Sequence, residues 1–255
     1  MNGTHLNFTQ LAEEFEKKLH VHRSAHSDIA WYPYPIMMNA QHIEHLLPAS
    51  ILDALASGNL DMRVLDIGAA DGDLGFFFES RGASVDFLDN ATTNYNDCKA
   101  LHAYRDSLGS NAGIMLQDID AAYELQGQYD IALALGLLYH LRNPFLFLMT
   151  LVRHAERMIL STRVCHQLPD GTHIEQVSAA YLLGCRESNN DSTNYWILTP
   201  KGLLTVLKRS GWDVKNAKVL GSSDSNPVDQ HKDARMFVYC ERIQNWRDIG
   251  KHHDF

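Results

Sequence analysis

The stretch Val64-Leu65-Asp66-Ile67-Gly68-Ala69-Ala70-Asp71-Gly72-Asp73-Leu74-Gly75 decides how the chain is read. Its apolar first half predicts a buried strand, and the small residues that follow predict a tight turn opening into a helix. In open α/β sheets such a turn lies at the carboxyl edge of the strands, where ligands bind. Gly68 and Gly72 let backbone approach a ligand closely, and Asp89, at the end of the next strand, is suitably placed for a ribose diol. The pattern predicts a site for an adenosine-containing cofactor.

Outward from that turn, short β-branched or apolar runs alternate with helical stretches: Val64 to Ile67, Val85 to Leu88, Gly113 to Leu116, Asp130 to Leu135 and Met158 to Thr162. Five strands with helical crossovers predict a parallel sheet. Thr199-Pro200 starts a helix through Arg209, and Trp212 to Leu220 and Ala234 to Arg242 read as two further strands. The expected fold class is α/β, a Rossmann-like doubly wound sheet of seven strands. Upstream, Phe8, Leu11, Ala12, Phe15 and Leu19 recur at helical spacing opposite Glu13, Glu14, Lys17 and Lys18, which predicts an amphipathic helix. The prolines in Trp31-Tyr32-Pro33-Tyr34-Pro35 predict an extended aromatic connector, and Gln41 to Leu55 returns to helix. The expected organisation is an N-terminal helical extension or lid over residues 1–60 and a cofactor-binding domain over 61–255.

Two cofactor classes compete for the turn. Ala70-x-Gly72-x-x-Gly75 nearly matches the dinucleotide fingerprint. A pyrophosphate there would sit beside Asp71 and Asp73, with Asp66 just before the turn, and like charges at such distances disfavour binding. S-adenosylmethionine has no phosphate and brings a sulfonium and an α-ammonium that acidic groups and turn carbonyls can hold. Further features come in order: Asp89 after the second strand, Asp118-Ile119 after the third, and Leu135-Gly136-Leu137-Leu138-Tyr139-His140-Leu141 after the fourth. From Arg63 to Arg242 the chain thereby resembles the class I S-adenosylmethionine-dependent methyltransferases. The resemblance implies that Gly68, Ala69, Ala70 and Gly72 line the methionyl moiety, that Asp89 binds the ribose hydroxyls and that Asp118 with Ile119 contacts the adenine. Asp66, Asn90, Leu135, Gly136 and Tyr139 complete the expected cofactor site.

Within that family, Leu135 to Pro144 and the aromatic-proline lead-in are similar to the tRNA wobble-uridine methyltransferases that move a carboxymethyl group. In those proteins the tyrosine matched by Tyr139 touches the transferred group, and Arg235 is a candidate for their late arginine. They also use a lysine in the lead-in, whereas this chain has no Lys between Lys18 and Lys99, so ordinary methyl transfer is expected. Three functions follow in order of preference. The first is methyl transfer to an oxygen or nitrogen of a small-molecule acceptor. The second is wobble-uridine modification with tRNA as partner, and the third is a non-catalytic S-adenosylmethionine-binding regulator.

Methyl transfer is an in-line displacement in which much of the rate comes from holding the acceptor at near-attack distance. By position after the fourth strand, Tyr139 and His140 are the candidate catalytic groups, with turn anchoring as the other role for His140. Candidate acceptor contacts are Arg163 at the end of the fifth strand, and Glu187, Asn190 and Tyr195 in the polar-then-aromatic segment Arg186 to Trp196. Trp31 and Tyr34 are further candidates, as a stacking platform, an aromatic lid or simple core packing.

The composition, 255 residues with 45% hydrophobic and 21% charged, is that of a globular protein with one domain or one domain and an extension; it excludes a disordered chain. The net charge of −9 has the wrong sign for binding nucleic acid through a general basic surface. That charge is uneven: residues 1–60 carry −3, 61–135 carry −9, 136–198 carry 0 and 199–255 carry +3. The acidic stretch is the one expected to cradle a cationic cofactor. Cys98, Cys165, Cys185 and Cys240 are widely spaced and read as reduced thiols, and the apolar runs are too short for a membrane span, so a cytoplasmic location is expected. The pairs His20-x-His22, His42-x-x-His45 and His252-His253 join no Cys or carboxylate set, so no metal site is expected.

Overall fold

Asn7 starts helix α1 (Phe8–Ala25). Its side chain accepts from the Gln10 N–H at 2.9 Å, and the Gln10 side chain accepts from the Asn7 N–H at 3.0 Å, which satisfies two amides at the helix start. The computed structural model describes residues 6–121, 123–188, 190–229 and 231–248. They form two compact units, Met1–Asp118 with Gln128–Leu133, and Ile119–Gly127 with Ala134–Phe255.

In the first unit, α1 buries Phe8, Ala12, Phe15 and Leu19, as its periodicity predicts. Helix α2 (Ala40–Glu44) and helix α3 (Ala49–Ser57) replace the single helix expected over Gln41 to Leu55. Pro48, with ψ 146°, is the reason: proline disfavours helical geometry in the residue before it and tolerates a helix only in its first turn. Four strands then align in parallel, β1 (Arg63–Ile67), β2 (Ser84–Asp89), β3 (Gly113–Leu116) and the 129–133 portion of β4 (Tyr129–Leu135), in the order β3-β2-β1-β4. Register pairs Asp66 with Phe87 on one side and with Leu133 on the other. Helix α4 (Asp73–Ser80) follows β1, and helix α5 (Lys99–Leu108) connects β2 to β3.

Phe76, Phe77 and Phe78 of α4 are all buried, so this helix is apolar around most of its girth. Phe77 meets Phe8 at 5.3 Å and Phe15 at 5.8 Å between ring centroids, which locks α1 onto α4. Each such ring contributes roughly 1.5–3 kcal/mol by burial. Asp86 of β2 accepts from Arg63 of β1 at 2.7 Å and from the Tyr129 hydroxyl of β4 at 3.0 Å, so one carboxylate joins three strands.

The second unit contains helix α6 (Pro144–Leu151), strand β5 (Ala155–Val164), strand β6 (Ala180–Leu182), strand β7 (Trp196–Leu198), helix α7 (Pro200–Arg209), strand β8 (Trp212–Gly221) and strand β9 (Ala234–Arg242). Thr199 caps α7 by accepting from the Gly202 N–H at 2.9 Å. β5 pairs antiparallel with β9 from Arg157↔Glu241 to Val164↔Ala234, and β9 pairs with β8 across a bulge between Val214 and Asn216. The described residues thus hold nine strands, the seven expected and the three-residue strands β6 and β7, for which the sequence pattern predicts no strand. β7 pairs beside β5 in parallel at Val164↔Leu198 and with β6 antiparallel. The α/β architecture with parallel strands, flanking helices and an N-terminal helix is as expected. No helix of the described residues is long and apolar enough to cross a membrane.

Candidate active site

The glycine turn in the first unit is built from left-handed backbone. Gly68, Ala70 and Gly72 have φ of 63°, 55° and 88°. Gly68 donates its N–H to Leu88 O at 2.9 Å, which ties the turn to the end of β2. Gly72 is required twice, by its φ and by space: a Cβ there would lie 2.5 Å from Leu101 Cδ1 and 2.8 Å from Phe76 Cε2.

Asp66, 6% exposed, accepts from the Gly75 N–H at 3.0 Å; burial pushes its carboxyl up to about 7. Asp89 accepts from Ala70 N–H at 3.1 Å, Asn90 N–H at 2.7 Å and Asn94 Nδ2 at 3.2 Å. Its carboxylate therefore stabilises the left-handed Ala70; burial raises its pKa, and these hydrogen bonds oppose the shift. Asp118 is exposed and Ile119 is buried.

The aspartates that the sequence reading placed against a cationic cofactor are spent largely on the protein itself. Asp71 accepts from Asn96 Nδ2 at 2.8 Å and from the Tyr32 N–H at 2.8 Å. Asp73, 1% exposed, is ion-paired with Arg23 of α1, and burial pushes its carboxyl up to about 6. Among the described residues its Oδ2 has no hydrogen-bond partner. Arg23 also donates from Nε to the Tyr104 hydroxyl at 2.5 Å and lies 5.9 Å from the Trp31 ring. The sequence reading missed Arg23, whose only signal was a cation near the end of an amphipathic helix.

Trp31 packs on Tyr104 at 4.6 Å and donates to His26 O at 3.0 Å, in keeping with its packing role. Tyr34 is 66% exposed, 5.3 Å from the Tyr32 ring.

In the second unit, Leu135 ends β4 and Gly136 turns the chain at φ 71°, its N–H donating to Ser161 O at 2.9 Å. Tyr139 and His140 follow in a short 3-10 turn, with ring centroids 4.2 Å apart. Tyr195 fixes this turn by donating its N–H to Tyr139 O at 2.8 Å. His140 Nδ1 lies 3.0 Å from Thr193 Oγ1 and 3.2 Å from Thr193 O. The carbonyl only accepts, and Oγ1 gives its own proton to Asp191 at 2.7 Å, so Nδ1 carries hydrogen and Nε2 bears the lone pair. Burial, with Arg235 and Arg163 nearby, lowers the His140 pKa against the opposing Thr193 and Asp191, which keeps the ring neutral at pH 7.

Arg163, expected to offer its charge to an acceptor, is buried and paired with Asp233 at 2.7 Å and with the Ser188 hydroxyl. Glu187 accepts from the Gly184 N–H at 2.9 Å, Asn190 is exposed and Tyr195 is half-buried. The cation facing the Tyr139 turn is Arg235 of β9, whose Cζ lies 5.6 Å from the Tyr139 ring. Among the described residues no three His, Cys, Asp or Glu side chains converge to hold a metal; His252-His253 lies outside them.

No protein-family model and no curated protein matches the chain by sequence. Solved structures do match it by shape. The N-terminal domain of EvdMO1 with S-adenosylhomocysteine bound is 18% identical, with a TM-score of 0.56 over 88% of this chain and 97% of that one. The same domain in the presence of S-adenosylhomocysteine and D-fucose gives 17%, 0.53, 94% and 100%. A S-adenosylmethionine-dependent methyltransferase from Methanosarcina mazei gives 14%, 0.53, 77% and 98%. At these identities the likeness is one of architecture: the chain has the fold of the class I S-adenosylmethionine-dependent methyltransferases.

Proposed function

We propose that the chain is a S-adenosylmethionine-dependent methyltransferase that acts on an oxygen or nitrogen of a small-molecule acceptor. The observation that carries this reading is the chemistry of the glycine turn. Residues 66–75 contain three aspartates and no Lys or Arg, and Arg23, which reaches this turn from α1, is held by Asp73. A pyrophosphate would find no Lys or Arg of the turn to neutralise it, whereas S-adenosylmethionine has no phosphate and needs none; with Asp71 and Asp73 engaged by Asn96, Tyr32 and Arg23, the turn offers such a cofactor its backbone groups. Structures of the same fold that carry S-adenosylhomocysteine support the choice, and the one studied with D-fucose supports a small acceptor.

On this reading Gly68, Ala69, Ala70 and Gly72 would hold the methionyl part, with Asp66 fixing the turn through the Gly75 N–H; Asp89 and Asn90 would serve the ribose, Asp118 and Ile119 the adenine, and Leu135 and Gly136 would complete the set. When bound, the cofactor would supply an electrophilic methyl group on a sulfonium that leaves as a neutral thioether. Tyr139 positions the reacting groups. His140 Nε2 takes the proton that a neutral acceptor must lose and passes it to solvent. Calorimetry tests the assignment: S-adenosylmethionine binds, and more tightly than its carboxylated form or a nicotinamide dinucleotide. Preference for either competitor overturns it.

A further inference from the structure

The segment between β6 and β7 is bound to the turn that carries His140. The Tyr195 N–H donates to Tyr139 O at 2.8 Å, and Trp196 Nε1 donates to Arg142 O at 3.3 Å. Upstream, Ser188 and Asn190 take left-handed backbone at φ 51° and 54°, and the buried Asn194 side chain donates to Ser188 O at 3.0 Å. Left-handed backbone in residues other than glycine persists where the surroundings over-determine it. Here it belongs to the segment that brings Asp191 and Thr193 up to the imidazole.

Asp191 Oδ1 accepts from both donors of Thr193, the N–H at 2.8 Å and the hydroxyl at 2.7 Å. Thr193 therefore faces His140 with acceptors only, Oγ1 at 3.0 Å and O at 3.2 Å from Nδ1. Every hydrogen in this chain points the same way, from His140 through Thr193 to Asp191. A hydroxyl released from Asp191 would be free to turn its hydrogen to Nδ1 and so support the other tautomer, in which Nε2 carries hydrogen and accepts nothing. The Tyr139 ring lies against the imidazole; Arg235 of β9 and Arg163 of β5 oppose a protonated ring, and the Asp191 carboxylate favours it.

We propose that Thr193 and Asp191 are positioning residues for His140: together they keep the lone pair on Nε2 and stabilise the imidazolium that forms when Nε2 takes a proton. The assignment rests on the methyl-transfer reading above, in which His140 receives the proton shed by an acceptor hydroxyl or amine. That proton moves from the acceptor to Nε2 and on to solvent. None passes to Thr193 or Asp191, which act through orientation and charge.

The test is nitrogen NMR of histidine-labelled protein over a pH series, with the His140 ring identified by its absence from H140Q. Above its titration midpoint, His140 carries hydrogen on Nδ1. D191N, which keeps an acceptor oxygen for Thr193, and T193V, which keeps its shape, each move the midpoint down by about half a pH unit, and the double variant moves it by less than the sum. T193S, which keeps the hydroxyl, restores the midpoint. D191N and T193V bind S-adenosylhomocysteine about as tightly as the original chain, yet transfer label from methyl-labelled S-adenosylmethionine to the small-molecule fraction of cell extract several-fold more slowly. Hydrogen on Nε2 in place of Nδ1, or a midpoint that neither D191N nor T193V moves, overturns the assignment while leaving the methyl-transfer reading intact. So does label transfer that is unchanged in both variants. Failure of the unaltered protein to bind S-adenosylhomocysteine or to transfer label overturns both.

Discussion

Replacing Gly72 with alanine should be strongly destabilising, because backbone and packing both oppose it. At φ 88° an L residue is strained by roughly 1–2 kcal/mol. The added Cβ would stand 2.5 Å from Leu101 Cδ1 and 2.8 Å from Phe76 Cε2, and both side chains are buried and unable to swing away. Overpacking of that kind costs about 1–3 kcal/mol. The sum, about 2–5 kcal/mol, corresponds to a fall in melting temperature of roughly 10 °C for a chain of this size. Gly109 supplies the control: it is also left-handed, at φ 64°, but a Cβ there would meet nothing within 4 Å. Gly109→Ala should therefore show the backbone penalty alone. Urea unfolding followed by tryptophan fluorescence measures both. If Gly72→Ala is no more destabilising than Gly109→Ala, the packing derived for the turn is wrong.

The Arg23–Asp73 pair gives a second prediction. Arg23→Met leaves a buried carboxylate without its counter-ion and should cost about 2 kcal/mol, less than a fully buried pair because Arg23 stays partly in solvent; the double variant with Asp73→Asn should recover most of that in a mutant cycle. For Asp66 the folded pKa of about 7 lies above the unfolded value near 4, so its stabilising proton is fully present below about pH 4 and lost as pH rises through 7. Asp66→Asn keeps an acceptor for Gly75 and has no such proton; its stability relative to the original chain should rise between pH 5 and pH 8, read from urea midpoints. His140→Gln should lower turnover of an acceptor that attacks through a neutral hydroxyl or amine by about 10²-fold or more, and in the original chain the acidic limb of the rate profile should fall below the usual histidine value of about 6.5.

Local pattern carried much of the fold. The alternation of apolar runs with helical stretches located β1 to β5, β8 and β9, and the spacing of Phe8, Ala12, Phe15 and Leu19 located α1, because these signals come from neighbours in sequence. β6 and β7 escaped because three residues hold too little periodicity to show. The charge asymmetry was legible and its use was not. Asp71, Asp73 and Asp86 sit in the acidic stretch, yet each is assigned by partners 23 to 50 residues away, such as Arg23 for Asp73 and Arg63 for Asp86. The same holds for the two arginines: only the pairing of Arg163 with Asp233, 70 residues on, reveals which cation is spent and which faces Tyr139.

The central claim is met most directly by incubating the purified protein with methyl-labelled S-adenosylmethionine and, separately, a small-molecule fraction and a tRNA fraction of cell extract. The account predicts label in the small-molecule fraction with an equal amount of S-adenosylhomocysteine released. Label only in tRNA, or no label in either fraction, would contradict it.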